Sequence, residues 1–326
     1  MEKNEKSIVC VTGGTGYVTS WLIMRFLQSG YSVNTTINNN LDPGASFLEK
    51  LPNASNKLKI FRTNPEKPES FQPAIEGCNG VIIGHSVDFE DKNDEETKIQ
   101  RAITGIIGIL KACSDSETIK RVIYTSSDAT VGYVTEGQDV VDESSWSDTD
   151  FIKKLNPLGA VYSISKTLIE KEVLNFGEKN GVHVMCLNHA WVLGPFVTPQ
   201  CPEVVRYSLA MILGNWITIE YDSGVIALVH IDDVARAHIF LLECPNVKGR
   251  YICSSADISP DELSQFLRAR YPQYQIPTID CLKVTKEFKF PRPSSKKLVD
   301  SGFKFKYNLD DMYDGAIASC KQVGSL

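Results

Sequence analysis

Tyr162 and Lys166, a tyrosine and a lysine four residues apart, form the pair with the clearest capacity for chemistry in this chain. The spacing places both side chains on one face of a predicted helix. An ammonium group near a phenol lowers the phenol pKa, so Tyr162 is predicted to donate and accept protons near neutral pH. Ser127 ends the upstream segment Tyr124-Thr-Ser-Ser127, where its hydroxyl is expected to hold a substrate oxygen. The three side chains together predict proton-transfer catalysis.

A glycine-rich turn near the start of the chain follows the pattern of a dinucleotide-binding loop, except at one position. The apolar run Ile8 to Val11 predicts a buried strand, and the apolar spacing from Tyr17 to Gln28 predicts a helix after the turn. Backbone N–H groups at such a helix start bind phosphate. The third glycine, which lets helix and strand pack closely, is replaced by Thr19. The predicted cofactor contacts in this turn are Gly13, Thr15, Gly16, Tyr17 and Val18.

Strands and helices alternate over the first two thirds of the chain. Further strands are predicted at 32–37, 58–61, 80–84, 121–125 and 182–187, and further helices at 99–113 and 162–180. This alternation predicts an α/β fold with a doubly wound, Rossmann-like parallel sheet. Prolines interrupt the pattern from about Gly194 onward. We therefore predict a dinucleotide-binding-type domain over 1–190, rejoined by about 225–245, and a smaller C-terminal substrate lobe mainly over 191–326.

Composition excludes several classes of protein. The chain has 326 residues and a net charge of −6 with dispersed basic residues, which argues against a nucleic-acid partner. No stretch reaches the roughly 18 apolar residues of a membrane span, and the first residues show no apolar signal core. Nine cysteines without CxxC spacing favour free thiols over disulfides or a metal site. We predict a cytoplasmic enzyme without a metal, as a monomer or weak homodimer.

The predicted substrate lobe is rich in aromatic and soft apolar side chains, which suit a flat ligand. They are Trp191, Phe196, Tyr207, Met211, Trp216 and Tyr221. The alternative for each of these side chains is that it packs in the core of the lobe and does not contact a ligand. The set predicts a small aromatic or polycyclic substrate.

Several blocks together resemble the extended short-chain dehydrogenases/reductases of the plant dihydroflavonol reductase and vestitone reductase group. The blocks are Thr12-Gly-Gly-Thr-Gly16, Asp142-Glu-Ser-Ser-Trp-Ser147, Tyr162-Ser-Ile-Ser-Lys-Thr167, Gly194-Pro195, Val229-His-Ile-Asp-Asp-Val-Ala-Arg-Ala-His238 and Gly249-Arg-Tyr-Ile-Cys253. The resemblance implies that Ser127, Tyr162 and Lys166 form a catalytic triad, with Lys166 also at the cofactor. It also implies NADPH as the hydride donor to a carbonyl of a phenolic substrate.

Other departures from the family pattern fall mostly on the cofactor side. Asn38 stands where the family has an arginine for the 2′-phosphate, and Asn64 where an aspartate holds the adenine. The loop 83–86 is one residue short. Asp128 replaces a small residue after the serine, and His189-Ala190 replaces a Pro-Ser pair at the nicotinamide. A phosphate without its charge-assisted partner loses roughly 1.5–3 kcal/mol, so the pattern predicts weakened or lost NADP(H) binding.

Two functions remain open, and the departures favour the first. In it, the triad performs non-redox cyclisation, isomerisation or dehydration, with Asp128 or His189 as an extra general base. The alternative is an NADPH-dependent carbonyl reductase, because each departure has a mild explanation: Thr19 turns outward, and His189 is a core histidine. Gly132 replaces an asparagine that binds a ring hydroxyl, which disfavours dihydroflavonols. Retention of the triad disfavours a non-enzymatic binding protein, and the uncharged position 38 disfavours a sugar-nucleotide epimerase.

Overall fold

The computed structural model describes residues 7–38, 45–84, 94–135, 137–157, 159–215 and 220–326. Trp216 and residues 85 and 86 of the short loop 83–86 lie outside the described residues. The strands are β1 (Ile8–Val11), β2 (Ser32–Asn38), β3 (Leu58–Thr63), β4 (Gly80–Ile83), β5 (Arg121–Ser127), β6 (Val140–Val141), β7 (Val184–His189), β8 (Trp191–Leu193), β9 (Glu220–Gly224), β10 (Ile226–His230), β11 (Gly249–Cys253), β12 (Ala256–Ile258), β13 (Lys283–Phe290) and β14 (Arg292–Pro293).

The α-helices surround these strands. They are α1 (Tyr17–Gln28), α2 (Ala54–Lys57), α3 (Gln72–Ile75), α4 (Glu95–Ser114), α5 (Thr149–Leu155), α6 (Ala160–Asn180), α7 (Glu203–Ser208), α8 (Ala210–Leu213), α9 (Ile231–Glu243), α10 (Pro260–Arg270), α11 (Lys296–Asp300) and α12 (Leu309–Gln322). Helix α4 begins four residues before the predicted start, because the Asp94 side chain caps it by accepting a hydrogen bond from the Thr97 N–H at 3.0 Å.

Seven strands form one parallel sheet in the order β11-β7-β5-β4-β1-β2-β3. The predicted doubly wound, Rossmann-like α/β fold is confirmed. The six predicted strands match β1 to β5 and β7, with ends within two residues. The edge strand β11 was not predicted, because it follows the region where the sequence loses its regular alternation.

Both faces of the sheet are covered by helices, which explains why the inner strands β1 and β4 are apolar at nearly every position. On one face, Val9 and Val11 of β1 pack with Leu22 of α1. On the other face, Cys10 of β1 packs with Ile106 of α4. Strand β1 therefore needs apolar residues at successive positions, and the carboxyl ends of the parallel strands lie together at one edge of the sheet.

The C-terminal third builds smaller units next to the large sheet. Strands β12, β10 and β8 form a three-stranded sheet, and α10 and α12 contribute to a separate apolar cluster. Met211 is buried in that cluster, whereas Trp191 is 44% exposed and donates a hydrogen bond to Ser208 Oγ at 2.6 Å. Helix α9 packs against α1, one of the helices that cover the large sheet. The domain boundary at residue 190 remains a prediction.

Two further observations concern the classes that the composition argued against. None of the described helices combines the length and apolar character that a membrane crossing requires. Within the same described ranges, no group of three or more His, Cys, Asp or Glu side chains is arranged to hold a metal ion.

Candidate active site

The predicted site residues come from strand ends along one edge of the large sheet. Ser127 ends β5 and His189 ends β7, and the two are register partners on neighbouring strands. The glycine turn follows β1 at the same carboxyl edge. In open parallel sheets, ligands bind outside the carboxyl ends of the strands. A cavity lined by Tyr31, Asn79 and Glu243 lies at the opposite edge, away from these residues.

Helix α6 brings Tyr162 and Lys166 to Ser127. The Tyr162 hydroxyl is hydrogen-bonded to the Ser127 side chain. Lys166 is 5% exposed, and its Nζ donates to the Thr125 carbonyl at 2.9 Å. The same Nζ lies 5.8 Å from the centre of the Tyr162 ring and 4.9 Å from that of Tyr124. The structure therefore assembles the three predicted side chains, with the lysine behind the tyrosine.

The pKa of Tyr162 differs from the expectation drawn from its neighbour. Burial raises it to about 12, although the hydrogen bond with Ser127 opposes the rise. Burial also lowers the pKa of Lys166 to about 8. The expectation that the phenol pKa would move toward neutrality was wrong, because desolvation dominates the shift. Tyr162 therefore carries its proton at neutral pH and suits the role of a proton donor.

A buried polar network behind the site holds α6 in place, and the sequence analysis missed it. Glu170, one turn after Lys166, is fully buried and accepts hydrogen bonds from Ser126 and from Asn188 Nδ2, the latter at 2.7 Å. Its other oxygen lies 2.5 Å from Nε of Arg250 on β11. Ser126 and Asn188 directly precede Ser127 and His189, so the network fixes three strands and the helix that form the site. The one sequence feature that indicates this network is Glu170, an acidic residue four positions after Lys166 on the same helix.

Asp128 lies in the cleft next to the triad. It follows β5 in a single 3₁₀ turn, Asp128–Thr130, and its Oδ1 accepts a hydrogen bond from Ser127 Oγ at 3.2 Å. Burial raises its pKa to about 7, and the Asp257 carboxylate adds to the rise, while the bond from Ser127 opposes it. The carboxyl group is partly buried. It can therefore exchange a proton near neutral pH, which a solvated turn residue would not do.

His189 is held as a neutral imidazole. Its Nδ1 lies 2.9 Å from the Ala190 carbonyl, a geometry in which Nδ1 carries the proton. Burial lowers its pKa to about 4, with the positive charge of Lys166 contributing in the same direction. A histidine so easily deprotonated is a weak general base. Its role as an extra base remains a prediction that these properties do not favour.

Thr19 does not turn outward: it is 3% exposed and completes the glycine turn. Its hydroxyl donates to the Gly13 carbonyl at 2.5 Å and to the Gly16 carbonyl at 3.2 Å. Its methyl group fills the space beside Gly84, where a Cβ atom would approach to 2.2 Å. The missing third glycine is thus compensated by a glycine at the end of β4, and the turn keeps its shape.

The start of α1 fits the pyrophosphate of a dinucleotide. Gly13 has φ +70°, which favours glycine. The N-cap residue, Gly16, has no side chain to cap the helix. The first-turn N–H groups of Tyr17 and Val18 therefore face the position of a bound anion. The Tyr17 hydroxyl donates to the Gly194 carbonyl at 3.2 Å, so this side chain anchors the neighbouring lobe. Thr15 is half-buried in the same turn.

The adenosine end of the site contains neutral amides at both predicted positions. Asn38 ends β2 beside Thr63 of β3. The Asn64 Oδ1 accepts a hydrogen bond from the Glu66 N–H at 2.9 Å, so it forms a local turn. The following segment 39–44 contains no lysine or arginine. The pyrophosphate part of the site therefore fits a dinucleotide, while Asn38 and Asn64 bring no positive charge for a 2′-phosphate.

Asp128→Asn is expected to change the dependence of stability on pH. Folding raises the pKa of Asp128 from 3.8 to about 7. Between these two pH values the folded protein binds more protons than the unfolded chain, so the free energy of unfolding falls as the pH rises. The amide variant escapes this loss and should gain about 1–2 kcal/mol relative to the unmodified protein between pH 4 and pH 8. Urea unfolding at both values measures the difference. Asp142→Asn serves as the control and should show no such gain, since hydrogen bonds from Ser144 lower the pKa of Asp142.

Known proteins show the same architecture. The chain matches the description "NAD dependent epimerase/dehydratase family" over residues 9–252. It is 48% identical to vestitone reductase of Medicago sativa, over 98% of this chain and 99% of the relative. It is 39% identical to dihydroflavonol 4-reductase of Callistephus chinensis, over 100% of this chain and 90% of the relative. The crystal structure of the alfalfa vestitone reductase superimposes with a TM-score of 0.88 at 47% identity, covering 98% of this chain and 100% of that one.

Proposed function

The chain belongs to the NAD dependent epimerase/dehydratase family, among the extended short-chain dehydrogenases/reductases, and we propose that it is a carbonyl reductase of plant specialised metabolism. Its substrate would be a small aromatic or polycyclic ketone, and its cofactor NADPH or NADH. The observation that carries the proposal is the protonated Tyr162 hydroxyl, bonded to Ser127 at the carboxyl edge of the sheet. A phenol that keeps its proton is suited to protonating the alkoxide that carbonyl reduction creates.

Each side chain has a distinct task in this mechanism. Ser127 would hold the substrate carbonyl oxygen, and Tyr162 would donate a proton to it. Lys166, with Nζ fixed on the Thr125 carbonyl, would place positive charge behind the tyrosine and stabilise negative charge that develops on the oxygen. The Tyr17 and Val18 N–H groups would hold the pyrophosphate. When bound, the dinucleotide would supply the hydride.

Binding of NADPH and NADH to the purified protein, measured by calorimetry, tests this function. We expect dissociation constants in the micromolar range and oxidation of the bound cofactor in the presence of aromatic ketones, followed by nicotinamide absorbance. If neither dinucleotide binds, the reductase proposal is refuted.

Asn38→Arg is expected to raise the affinity for NADPH by about 10- to 100-fold, because a charge-assisted bond to phosphate contributes roughly 1.5–3 kcal/mol. NADH lacks the 2′-phosphate, so its affinity should stay the same and serves as the internal control. In the unmodified protein, the two dinucleotides should bind about equally. Thr19→Gly is not a useful companion change, because the buried threonine fills space beside Gly84. An unchanged NADPH affinity in Asn38→Arg would show that the 2′-phosphate lies elsewhere.

A second function is favoured by Asp128 alone. A carboxyl group with a pKa of about 7, bonded to Ser127, has the properties of a general base at neutral pH. Together with Tyr162 as the acid, it would support cyclisation, isomerisation or dehydration without hydride transfer. The test is incubation of the protein with a substrate in the absence of both dinucleotides. A product with the same oxidation level as the substrate would support this function over reduction.

A further inference from the structure

We propose that the substrate carries a positively charged nitrogen close to its reacting carbon, and that the Asp128 carboxylate binds this charge. The proposal rests on the proposed reductase function and defines its substrate class. A partly buried acidic side chain that directly contacts a catalytic hydroxyl is costly, because desolvation penalises its charge. A cationic ligand would offset that cost.

Only the Ser127 side chain separates the Asp128 carboxylate from the proposed position of the substrate oxygen. Its Oδ1 and the Tyr162 hydroxyl are both hydrogen-bonded to Ser127. Negative charge that develops on a substrate oxygen held by Ser127 would be repelled by an ionised carboxylate at this distance. A cation on the substrate, placed between the two, removes this repulsion. A neutral ketone has no such group.

Among the residues that the structure describes, Ser127 donates a hydrogen bond to this carboxylate, but no lysine, arginine or histidine forms an ion pair with it. Lys166 instead donates its Nζ to the Thr125 carbonyl. The charged group that does act on Asp128 is a second carboxylate, Asp257 of β12. The nearby Arg292 lies 3.9 Å from Asp257 and is 58% exposed. Asp257 therefore adds negative potential at Asp128, which favours a cation there.

Aromatic side chains line the chain segment that follows Asp128, and their rings suit a cationic ring system. Tyr133 stacks on Phe288 with ring centres 5.5 Å apart and meets the edge of Phe290 at 5.4 Å. Tyr162 packs against the same cluster. Gly132 makes room for Phe290, since a Cβ atom there would lie 2.1 Å from its ring. Tyr162 is the member of this cluster that also contacts Ser127, so its ring is the aromatic group closest to the proposed cation site.

A matched pair of probes tests the proposal without needing the natural substrate. 1,2,3,4-Tetrahydroisoquinoline is a cation at pH 7.5, and isochroman is its neutral analogue with oxygen in place of nitrogen. Calorimetric titration should show that the cation binds the unmodified protein at least tenfold more tightly. Asp128→Asn should abolish this preference and leave the affinity for isochroman unchanged, and the exposed-site variant Asp142→Asn should keep it. Thermal unfolding verifies that each variant is folded.

Lowering the pH provides a second test that needs no variant. At pH 5 Asp128 should be protonated, so the unmodified protein should lose the preference for the cation. The other groups around the site are Tyr162 and Lys166 of α6, Asp257 of β12 and His189 of β7. Lys166 also becomes more fully protonated between pH 7.5 and pH 5. The same measurement on the Asp128→Asn variant shows how much of the change in cation affinity is due to Lys166.

Three results would overturn the proposal: equal affinity for the two probes, a preference that survives in Asp128→Asn, or no binding of either at millimolar concentration. Failure of the reductase function has a different signature. If NADPH and NADH do not bind but the preference for the cation depends on Asp128, then the redox assignment is wrong and the substrate class stands.

Discussion

Tyr162→Phe is expected to lower kcat for carbonyl reduction by about 10²- to 10⁴-fold, the usual contribution of a positioned general acid. The substitution removes one oxygen atom and retains the ring that packs in the aromatic cluster beside the site. The phenol is the group that carries a proton at neutral pH next to Ser127, since burial raises its pKa to about 12. Without it, the alkoxide must take its proton from water.

Binding and stability provide the controls for this variant. The dissociation constants for NADPH and NADH should change by no more than about twofold, because the pyrophosphate contacts lie on the glycine turn and α1. Tyr274→Phe, in the C-terminal cluster away from the site, should keep full activity. Steady-state kinetics on both variants measures the effect. Turnover in Tyr162→Phe within a factor of three of the unmodified protein would show that another group donates the proton.

Arg250→Met is expected to lower the free energy of unfolding by about 3–5 kcal/mol, the cost of leaving a buried carboxylate unpaired. The side chain is 6% exposed and lies 2.5 Å from Glu170, which is fully buried. Its guanidinium also donates to the carbonyls of Glu143 and Ser145 and lies 3.7 Å over the centre of the Trp146 ring. Methionine fills similar space but leaves the carboxylate without a counter-charge.

A double substitution separates charge from packing. Arg250→Met combined with Glu170→Leu should recover much of the lost stability, because both members of the ion pair are then absent and neither is left without its partner. Lys289→Met, which breaks the exposed Lys289–Asp139 pair, should cost less than about 1 kcal/mol. Urea unfolding followed by circular dichroism gives the three values. A loss below 1 kcal/mol in Arg250→Met would mean that Glu170 becomes protonated or hydrated without its partner.

Local sequence patterns were sufficient for most of the large sheet. Strand β1 reads as apolar at successive positions because helices cover both of its faces, and that requirement is visible in four residues. The spacing of Tyr162 and Lys166 likewise predicts a shared helix face, since the geometry of a helix depends only on near neighbours. Strand β11 was missed because its place at the sheet edge depends on pairing with β7, about 65 residues earlier in the chain.

The proximity of the candidate site residues was predicted, but their electrostatics were not. The sequence indicated Ser127, Tyr162 and Lys166, and it singled out Asp128 and Asn38 as unusual. The net shift of the Tyr162 pKa was predicted in the wrong direction, because burial raises it and burial is decided by packing. The compensation of Thr19 by Gly84 also escaped prediction, since the two residues meet only across the end of β4.

The sequence alone therefore determined six strands of the large sheet, the glycine turn and the residue types of the candidate site, because each is encoded by neighbours within a few positions. Only the tertiary structure decided which distant groups share a low-dielectric environment. Glu170 and Arg250 are 80 residues apart yet form one buried ion pair behind the site. Asp128 acquires its raised pKa from burial and from Asp257, far along the chain. Burial and long-range charge arise from packing, and no local pattern records them.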